Sequence, residues 1–346
     1  MKHFLRDDDL STNQQKYLIE LAKALKAHRY EARPLLGGGL DPGYQRALTD
    51  LPRQVPPAPR SVAVIMEKES TRTRISFQIG ITELGGNPVM IDAQSSQLSR
   101  GETIEDTARV LSGYVDGIVI RTFGDDRINA LADAATVPVI NALTDGFHPC
   151  QLLADLLTVE EEFGSVAGHT MVYVGDTANN MAHSYLLAGA LAGAHIRLAG
   201  PAGYQPDPTV LGEAAAIAEG TGGSVTFLTD PVEAVTGADV VSTDTWVSMG
   251  QLDGPARLAD LADYQLNAEL MAHAAPHAIA LHCLPAHRGE EITDDVIDGP
   301  QSRVLTQAEN RLHVQKALMM WLLTDYTWTV PGWHSRPALD ESEVSR

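Results

Sequence analysis

The fold of this chain is decided by residues 61–74, which read SVAVIMEKESTRTR. Residues 61–66 form a short apolar run rich in β-branched side chains, which is typical of a buried strand. Ser70 then offers a helix cap, so the strand should lead through a short turn into an amphipathic helix. A strand followed by a turn and a helix is the repeating unit of a parallel α/β sheet.

The turn itself, Ser70-Thr71-Arg72-Thr73-Arg74, has the composition of a phosphate site. Hydroxyl groups, backbone N–H groups at a helix start and a guanidinium group together supply many donors for a phosphate dianion. Arginine suits this role better than lysine because its planar fork matches two phosphate oxygens at once. An ordinary helix cap followed by solvated arginines explains the pentapeptide equally well. Other motifs in the chain are therefore needed to distinguish a phosphate site from an ordinary helix cap.

Length and composition indicate a globular protein with two domains. The chain has 346 residues, of which 44% are hydrophobic and 20% charged, about twice the usual domain length. No apolar run approaches the 18 residues that would indicate a membrane span. The acidic N-terminus does not resemble an export signal, and only Cys150 and Cys283 carry thiols. We therefore expect a soluble, cytoplasmic protein.

The charge balance excludes several kinds of partner. There are 45 acidic and 25 basic residues, which gives a formal net charge of −20. This charge repels nucleic acid and anionic membranes, and no basic patch opposes it. An anionic substrate would have to be captured by local arginines and oriented amides.

Strand-like and helix-like runs alternate over most of the chain. A capping-box pair, Ser11 and Gln14, predicts a first helix that ends near His28, and residues 33–59, rich in Pro and Gly, predict a long surface loop. After it we predict nine strands. These are residues 62–66, 89–92, 117–121, 137–140, 171–175, 196–199, 225–228, 240–243 and 279–282.

This alternation predicts an α/β fold with two doubly wound parallel-sheet domains. The division should fall near residue 145, giving a first domain of residues 1–145 and a second of residues 146–326. A long helix at 307–323 should pack back on the first domain, and residues 327–346 should form a flexible tail. Ligands of such folds bind outside the carboxyl ends of the strands, so we expect an active-site cleft between the domains.

Three further motifs each follow a predicted strand. In His148-Pro149-Cys150-Gln151, proline suits the first helical position, so that His148 and Gln151 can face one ligand. Asn180 follows one strand and Asp244 another; with Ser248 they offer partners for the carboxylate and ammonium groups of an amino acid. Taken singly, each is also explained as an ordinary turn or cap residue.

The last motif is His282-Cys283-Leu284-Pro285, which presents a thiol at a strand end. A zinc site formed by His282, Cys283 and His287 is an alternative, but their spacing matches no standard ligand set. No G-x-G-x-x-G or Walker A pattern occurs, which argues against a dinucleotide-dependent oxidoreductase.

Taken together, these motifs resemble the aspartate/ornithine carbamoyltransferase family. The order is Ser-Thr-Arg-Thr-Arg, His-Pro-x-Gln, Asp-x-x-x-Ser-Met-Gly and His-Cys-Leu-Pro. The first two are similar to those of all carbamoyltransferases, whereas the last two resemble the ornithine branch. The similarity runs from about residue 3 to 323 and includes Arg6, residues 95–98, Arg121-Thr122-Phe123 and Glu309-Asn310-Arg311.

The resemblance implies an enzyme of arginine biosynthesis that transfers the carbamoyl group of carbamoyl phosphate to the δ-amino group of L-ornithine. It implies a homotrimer or an assembly of trimers, and neither a metal nor another cofactor. Putrescine, N-acetylornithine and aspartate are the alternative acceptors within the class, and a non-catalytic amino-acid-binding regulator is the alternative outside it.

The resemblance also implies residue roles. The ligands of carbamoyl phosphate would be Ser70, Thr71, Arg72, Thr73, Arg121, His148, Gln151, Cys283, Leu284 and Arg311, with Gln97 from a neighbouring subunit. Those of ornithine would be Asn180, Asp244, Ser248 and Met249. The catalytic residues would be Cys283, Arg121, His148 and Asp244. A cis bond between Leu284 and Pro285 is expected as well.

Overall fold

The computed structural model describes residues 2–29, 59–247 and 254–324. The chain divides into two compact units, with Gly146–Asn310 forming unit 2 and the described residues before and after it forming unit 1. Each unit contains one parallel sheet with helices, which confirms the predicted α/β class with two parallel-sheet domains. Nearly all of the predicted 33–59 loop and the whole 327–346 tail lie outside the described residues.

Unit 1 is built on a four-stranded sheet in the order β2-β1-β3-β4. All neighbouring strands are parallel. The strands are β1 (Ser61–Met66), β2 (Asn87–Asp92), β3 (Gly117–Arg121) and β4 (Val139–Leu143). The helices are α1 (Thr12–Ala27), α2 (Thr71–Glu83), α3 (Ile104–Ser112) and α4 (Asp125–Ala134).

Local sequence explains these elements. Residues 62–65 of β1 are fully buried, as an apolar run in a sheet covered on both faces should be. The capping box predicted for α1 is confirmed, because Ser11 Oγ accepts from Gln14 N at 3.2 Å and Gln14 Oε1 accepts from Ser11 N at 2.9 Å. Leu18, Leu21 and Leu25 then lie on the buried face of the helix.

Unit 2 is built on a five-stranded parallel sheet in the order β7-β6-β5-β8-β9. The strands are β5 (Thr170–Val174), β6 (His195–Ala199), β7 (Ser224–Leu228), β8 (Val240–Thr243) and β9 (Ile279–His282). The helices are α5 (Pro149–Phe163), α6 (Asn180–Leu191), α7 (Pro208–Thr221), α8 (Pro231–Val235), α9 (Gly254–Leu261), α10 (Ala268–Met271) and α11 (Asp294–Ile297). The last helix, α12 (Val304–Leu323), begins in unit 2, and its residues from Arg311 onward belong to unit 1.

Each sheet has one point where the chain reverses its direction of travel across the sheet. In unit 1 the chain passes from β1 to β2 on one side and then to β3 on the other side of β1. In unit 2 it passes from β5 outward to β7 and returns to β8 on the other side of β5. Loops diverge at such points and leave a crevice at the carboxyl ends of the strands, where ligands of this fold class bind.

Two predicted elements differ from the structure by three residues at one end. The fourth strand was expected at 137–140 but spans Val139–Leu143, because the buried Asn141 continues the strand and donates to Leu5 O and Thr144 Oγ1. The last helix begins at Val304, three residues earlier than predicted. Among the described residues, none of the helices has the length and apolar character required to cross a bilayer.

Candidate active site

The Ser70–Arg74 turn lies at the carboxyl end of β1 and opens helix α2. Ser70 is the helix cap: its Oγ accepts from Thr73 N at 3.3 Å and donates to Thr73 Oγ1 at 2.9 Å. Thr73 is buried, whereas Thr71 and Arg72 are exposed. Since first-turn N–H groups have no partner within a helix, this end carries a positive partial charge open to an anion. The serine is therefore a helix cap whatever ligand the turn binds.

A hollow of about 240 Å³ lies at this end of the unit 1 sheet. Its basic side chains are Lys68 and Arg74, and Ser70 and Thr71 line it as well. It also has acidic lining residues, which are Glu67, Glu69 and Asp92. An anion bound here must therefore be held by directed donors, because the net charge of the walls does not favour it.

Arg121 ends β3, directly beside the end of β1. The backbone N–H of Glu67 donates to Arg121 O at 2.9 Å. The carboxylate of Glu67 accepts from Thr122 Oγ1 and from Arg127, whose Nε and Nη2 lie 3.0 and 2.6 Å from its two oxygens. Burial alone would raise the pKa of Glu67, but these hydrogen bonds from Arg127 and Thr122 outweigh it and lower the pKa. Glu67 thus ties the two strand ends together as an anion.

Lys68 is a residue of this site that the sequence analysis missed. Its Nζ lies 2.5 Å from Asp145 Oδ1 and 4.5 Å from the ring centre of Phe123. In the sequence it stands between two glutamates and is easily taken for a solvated charge. Of the other residues predicted for unit 1, Gln97 is exposed in a short 3₁₀ helix, and Arg311 is buried on α12.

In unit 2, the His-Pro-x-Gln motif opens helix α5 as predicted. His148 is the cap residue and Pro149 occupies the first helical position. The backbone N–H of His148 donates to Ser184 Oγ at 2.9 Å, which fixes the helix start against α6. His148 and Gln151 are both buried, and Gln151 Nε2 donates to Asp155 Oδ1 at 2.8 Å.

Asp244 and Cys283 follow the neighbouring strands β8 and β9. The thiol of Cys283 donates to Asp244 Oδ1 at 3.0 Å. Burial raises the pKa of Asp244, while His282 and the thiol act in the opposite direction. The pair therefore places a desolvated carboxyl group beside sulfur at the carboxyl end of the sheet.

The turn after β9 is held by the buried side chain of His282. Its Nδ1 accepts from Leu284 N at 2.8 Å and its Nε2 lies 2.9 Å from Glu291 Oε1. Leu284 has φ of 58°, in the left-handed region that a leucine rarely adopts. The Leu284–Pro285 bond is cis, as the resemblance implied. The carbonyl direction of Leu284 is thus set by a buried side-chain network.

Asn180 begins helix α6, close to the end of β5. The preceding Asn179 caps the helix by accepting from Ala182 N at 2.9 Å and donates to Tyr173 Oη at 2.9 Å. Gly175 at the strand end has φ of 125°, and a Cβ there would lie 2.9 Å from Trp246 Nε1. A side chain would therefore push Trp246 out of its place just after Asp244. Ser248 and Met249 lie outside the described residues.

Among the described residues, two groups bring three metal-ligand atoms within 4.8 Å of one another. One is Asp244, His282 and Cys283, and the other is His287, Glu290 and Glu291. The two histidines of the zinc alternative thus fall into different groups. In the first group, Cys283 Sγ donates to Asp244 Oδ1, and His282 Nε2 lies 2.9 Å from Glu291 Oε1. In the second group, Glu291 Oε1 also accepts from the backbone N–H of His287, at 2.6 Å.

Two family models match this chain. The carbamoyl-P binding domain of aspartate/ornithine carbamoyltransferase matches residues 2–161, and the Asp/Orn binding domain matches residues 167–322. The chain therefore belongs to the aspartate/ornithine carbamoyltransferase family.

The relatives that it resembles carry a more particular name. Ornithine carbamoyltransferase of Clavibacter sepedonicus is 55% identical over 323 residues, which cover 93% of this chain and 98% of that protein. The protein of the same name from Mycolicibacterium paratuberculosis is 54% identical with the same coverage. The solved ornithine carbamoyltransferase of Pyrococcus furiosus superposes with a TM-score of 0.84 at 44% identity, covering 94% of this chain and 98% of that one.

Proposed function

We propose that this protein transfers the carbamoyl group of carbamoyl phosphate to the δ-amino group of L-ornithine, giving L-citrulline and phosphate. The observation that carries the proposal is the Asp244 carboxyl group with the Cys283 thiol 3.0 Å away at the carboxyl end of the unit 2 sheet. A desolvated carboxyl group is a partner for an amino group, and it would repel the second carboxylate of aspartate. The names of the relatives support the same acceptor.

Unit 1 supplies the phosphate site in this proposal. The donors at the start of α2 and the end of β3 meet the phosphate oxygens, because helix N-termini and guanidinium groups both favour a dianion. The proposed ligands are Ser70, Thr71, Arg72, Thr73, Arg121 and Arg311, together with Gln97 of a neighbouring subunit. The exposure of Gln97 in this chain agrees with a role toward another copy.

Unit 2 supplies the groups that meet the carbamoyl group. His148 donates to its oxygen, while Gln151 Oε1 and the carbonyl of Leu284 accept from its NH₂ group. Cys283 lies beside the reacting carbon. Ornithine is positioned by Asp244 and Asn180 with Ser248 and Met249, so that the carboxyl group of Asp244 pairs with an amino group.

The chemistry explains why these groups are needed. The nucleophile is the neutral amine, but an alkylamine of pKa about 10.4 is neutral in only about one molecule in 2,500 at pH 7, a cost of about 4.6 kcal/mol. The desolvated Asp244–Cys283 pair lies where the amino groups are proposed to bind. We propose that Cys283 and Asp244 assist loss of the proton there.

Attack of the amine on the carbamoyl carbon places negative charge on its oxygen. Arg121, His148 and Thr73 stabilise that charge, and loss of one good donor costs about 3 kcal/mol in systems of this kind. The new C–N bond forms, the C–O bond to phosphate breaks, and the proton of the amine leaves with the phosphate. No oxidation state changes, so the reaction as proposed uses no redox cofactor, and the arginines rather than a metal neutralise the phosphate.

We further propose a cytoplasmic enzyme of arginine biosynthesis that works as a homotrimer or an assembly of trimers, without nucleic-acid or membrane partners. The net charge of −20 supports the last point.

The deciding experiment offers ornithine, putrescine, N-acetylornithine and aspartate separately to the purified, metal-free protein with carbamoyl phosphate, and measures ureido product. Citrulline alone is the expected result. Product from another amine would support the proposed phosphate site but show that the acceptor site binds that amine instead of ornithine. No product from any of the four would favour a non-catalytic regulator.

A further inference from the structure

Asp155 is a fully buried carboxylate in unit 2 that none of the roles above uses. It lies on α5, one turn after Gln151. Three side chains donate to it: Gln151 Nε2 at 2.8 Å, Gln307 Nε2 at 2.7 Å and Tyr185 Oη at 2.9 Å. A buried carboxylate is costly unless it is hydrogen-bonded, so this cluster satisfies Asp155 and also fixes its three donors.

The carboxylate decides how the amide of Gln151 is oriented. A glutamine side chain can present either NH₂ or oxygen, whereas an ionised carboxylate only accepts hydrogen bonds. Gln151 must therefore turn its NH₂ group toward Asp155. Its Oε1 is then directed away from the carboxylate, as an acceptor for a ligand that carries N–H groups.

The same argument applies to Gln307, which lies 152 residues after Asp155 in the sequence. Its NH₂ group is also held by Asp155, so its Oε1 faces elsewhere and accepts from His282 N at 2.9 Å. His282 in turn holds the backbone N–H of Leu284 at 2.8 Å. Asp155 is thus linked through two hydrogen-bonded side chains to the turn that carries the Leu284 carbonyl.

We propose that Asp155 is a positioning residue that orients two acceptors, Gln151 Oε1 and Leu284 O, for the NH₂ group of the carbamoyl donor. The inference rests on the proposed function. It makes Asp155 a determinant of specificity, because an acyl phosphate with a methyl group in place of NH₂ has nothing to donate. Acetyl phosphate is such a ligand, with the same size and the same phosphate group.

The test compares three variants with the wild-type enzyme. Asp155→Leu keeps the number and branching of the side-chain heavy atoms but removes the acceptors. Asp155→Asn is the conservative variant, since its one oxygen can accept from both glutamines while its NH₂ group donates to Tyr185 Oη. Thr158→Val is the matched control, because Thr158 is equally buried one turn further along α5. Its Oγ1 accepts from Asn310 Nδ2 at 2.9 Å and not from a residue that donates to Asp155.

The quantities measured are the KM for carbamoyl phosphate and the inhibition constant of acetyl phosphate. Asp155→Leu should raise the KM about tenfold or more, the size of one or two lost oriented hydrogen bonds, and leave the constant for acetyl phosphate unchanged within about twofold. In Asp155→Asn, the KM for carbamoyl phosphate should return most of the way to the wild-type value, with the constant for acetyl phosphate again unchanged. Thr158→Val should lower the thermal midpoint without changing either constant.

Equal weakening of both ligands in Asp155→Leu would overturn the inference, as would an unchanged KM. If that variant does not fold, Gln307→Met replaces it, because it removes the bonds of Gln307 to Asp155 and to His282 but leaves the Gln151–Asp155 hydrogen bond in place. It should raise the KM for carbamoyl phosphate selectively. An unchanged ratio of the two constants in Gln307→Met contradicts the inference in the same way. A wild-type protein that makes no ureido product refutes the proposed function instead, so the two failures are distinguishable.

Discussion

Cys283 Sγ donates a hydrogen bond to Asp244 Oδ1 across 3.0 Å, and the two residues follow adjacent parallel strands. The two residues are 39 positions apart in the sequence, and the sheet brings them together. Because β8 and β9 pair in register, with Thr243 beside His282, the residues that follow them emerge side by side. The backbone hydrogen bonds between the two strands thus bring this pair of residues together.

Replacing the thiol tests the role of this pair. We expect Cys283→Ser to fold normally, because the residue is only half-buried, but to lose turnover by about 10²–10⁴-fold, the usual range for a lost proton-transfer group. The KM for ornithine should rise as well. Steady-state kinetics at saturating carbamoyl phosphate, with thermal unfolding alongside, measures both effects.

The other cysteine provides the control. Cys150 is fully buried on α5, so Cys150→Ala should lower the thermal midpoint and leave the KM for ornithine unchanged. Wild-type kinetics in Cys283→Ser would remove Cys283 from the mechanism.

The protein should be more stable when the carboxyl group of Asp244 is protonated than when it is ionised. Burial raises the pKa of its carboxyl group, so the folded protein holds the proton more tightly than the unfolded chain does. This favourable contribution is present at low pH and is lost as the pH rises through the pKa of the folded state. At pH 7, Asp244→Asn should therefore raise the thermal midpoint, while ornithine-dependent activity falls sharply.

The pH dependence distinguishes this explanation from general repacking. The gain in thermal midpoint should shrink as the pH is lowered toward about 4, the ordinary pKa of an aspartate. Asp263→Asn, which removes an exposed carboxylate from the same unit, should show neither effect. A constant gain at every pH would mean that the charge of Asp244 is not the cause.

Much of the fold was predictable because its signals are local. Three elements are predicted by features only a few residues long. These features are the capping box of α1, the apolar run of β1 and the proline at the first position of α5. The motifs also stand at the carboxyl ends of strands, and that placement follows from the alternation of strands and helices alone. The end of β4 was missed because Asn141 is polar yet lies buried in the strand.

The supporting residues of the site were not predictable in the same way. Asp155 and Gln307 are far apart in sequence, and their hydrogen bond exists only after the sheet and both helices have formed. In the sequence, Glu67 and Lys68 look like solvated charges in a polar turn. In the structure, the side chain of Glu67 is largely buried and accepts two hydrogen bonds from Arg127. One local signal was present, since Asp155 lies four residues after Gln151 and so shares a helix face with it.

The proposed phosphate site at the start of α2 can be tested through its exposed arginine, Arg72. Arg72→Ala should raise the KM for carbamoyl phosphate by about 10²-fold, because a charge-assisted, bidentate contact contributes more than a neutral hydrogen bond. The thermal midpoint should change little, since the side chain is exposed.

The matched control is Arg109→Ala. Arg109 is an exposed arginine of unit 1 with an ion pair to Asp106 on its own helix, so its loss removes the same charge from the same unit. It should leave the KM unchanged. If Arg72→Ala unfolds the protein instead of weakening the binding of carbamoyl phosphate, Arg72 has a structural role and not a binding one.

Glu67 should link the stability of the fold to the proposed phosphate site, because it joins the ends of β1 and β3. Its backbone N–H donates to Arg121 O, and its carboxylate accepts from Thr122 and Arg127. The hydrogen bonds that lower its pKa stabilise the fold at pH values above the pKa of the unfolded chain, and this stabilisation is lost as the pH falls through the lower pKa of the folded state. Glu67→Gln keeps the backbone bond to Arg121 O but weakens the side-chain bonds to Thr122 and Arg127, which should cost about 1–3 kcal/mol at pH 7. It should also raise the KM for carbamoyl phosphate, because the end of β3 that carries Arg121 is then held less firmly to the end of β1. Glu69→Gln, which removes an exposed carboxylate from the same hollow, should do neither. Denaturant unfolding at pH 7 and at pH 4 measures the first effect, and steady-state kinetics measures the second. A variant as stable as the wild type at pH 7 would show that the Glu67–Arg127 pair does not hold the two strand ends together.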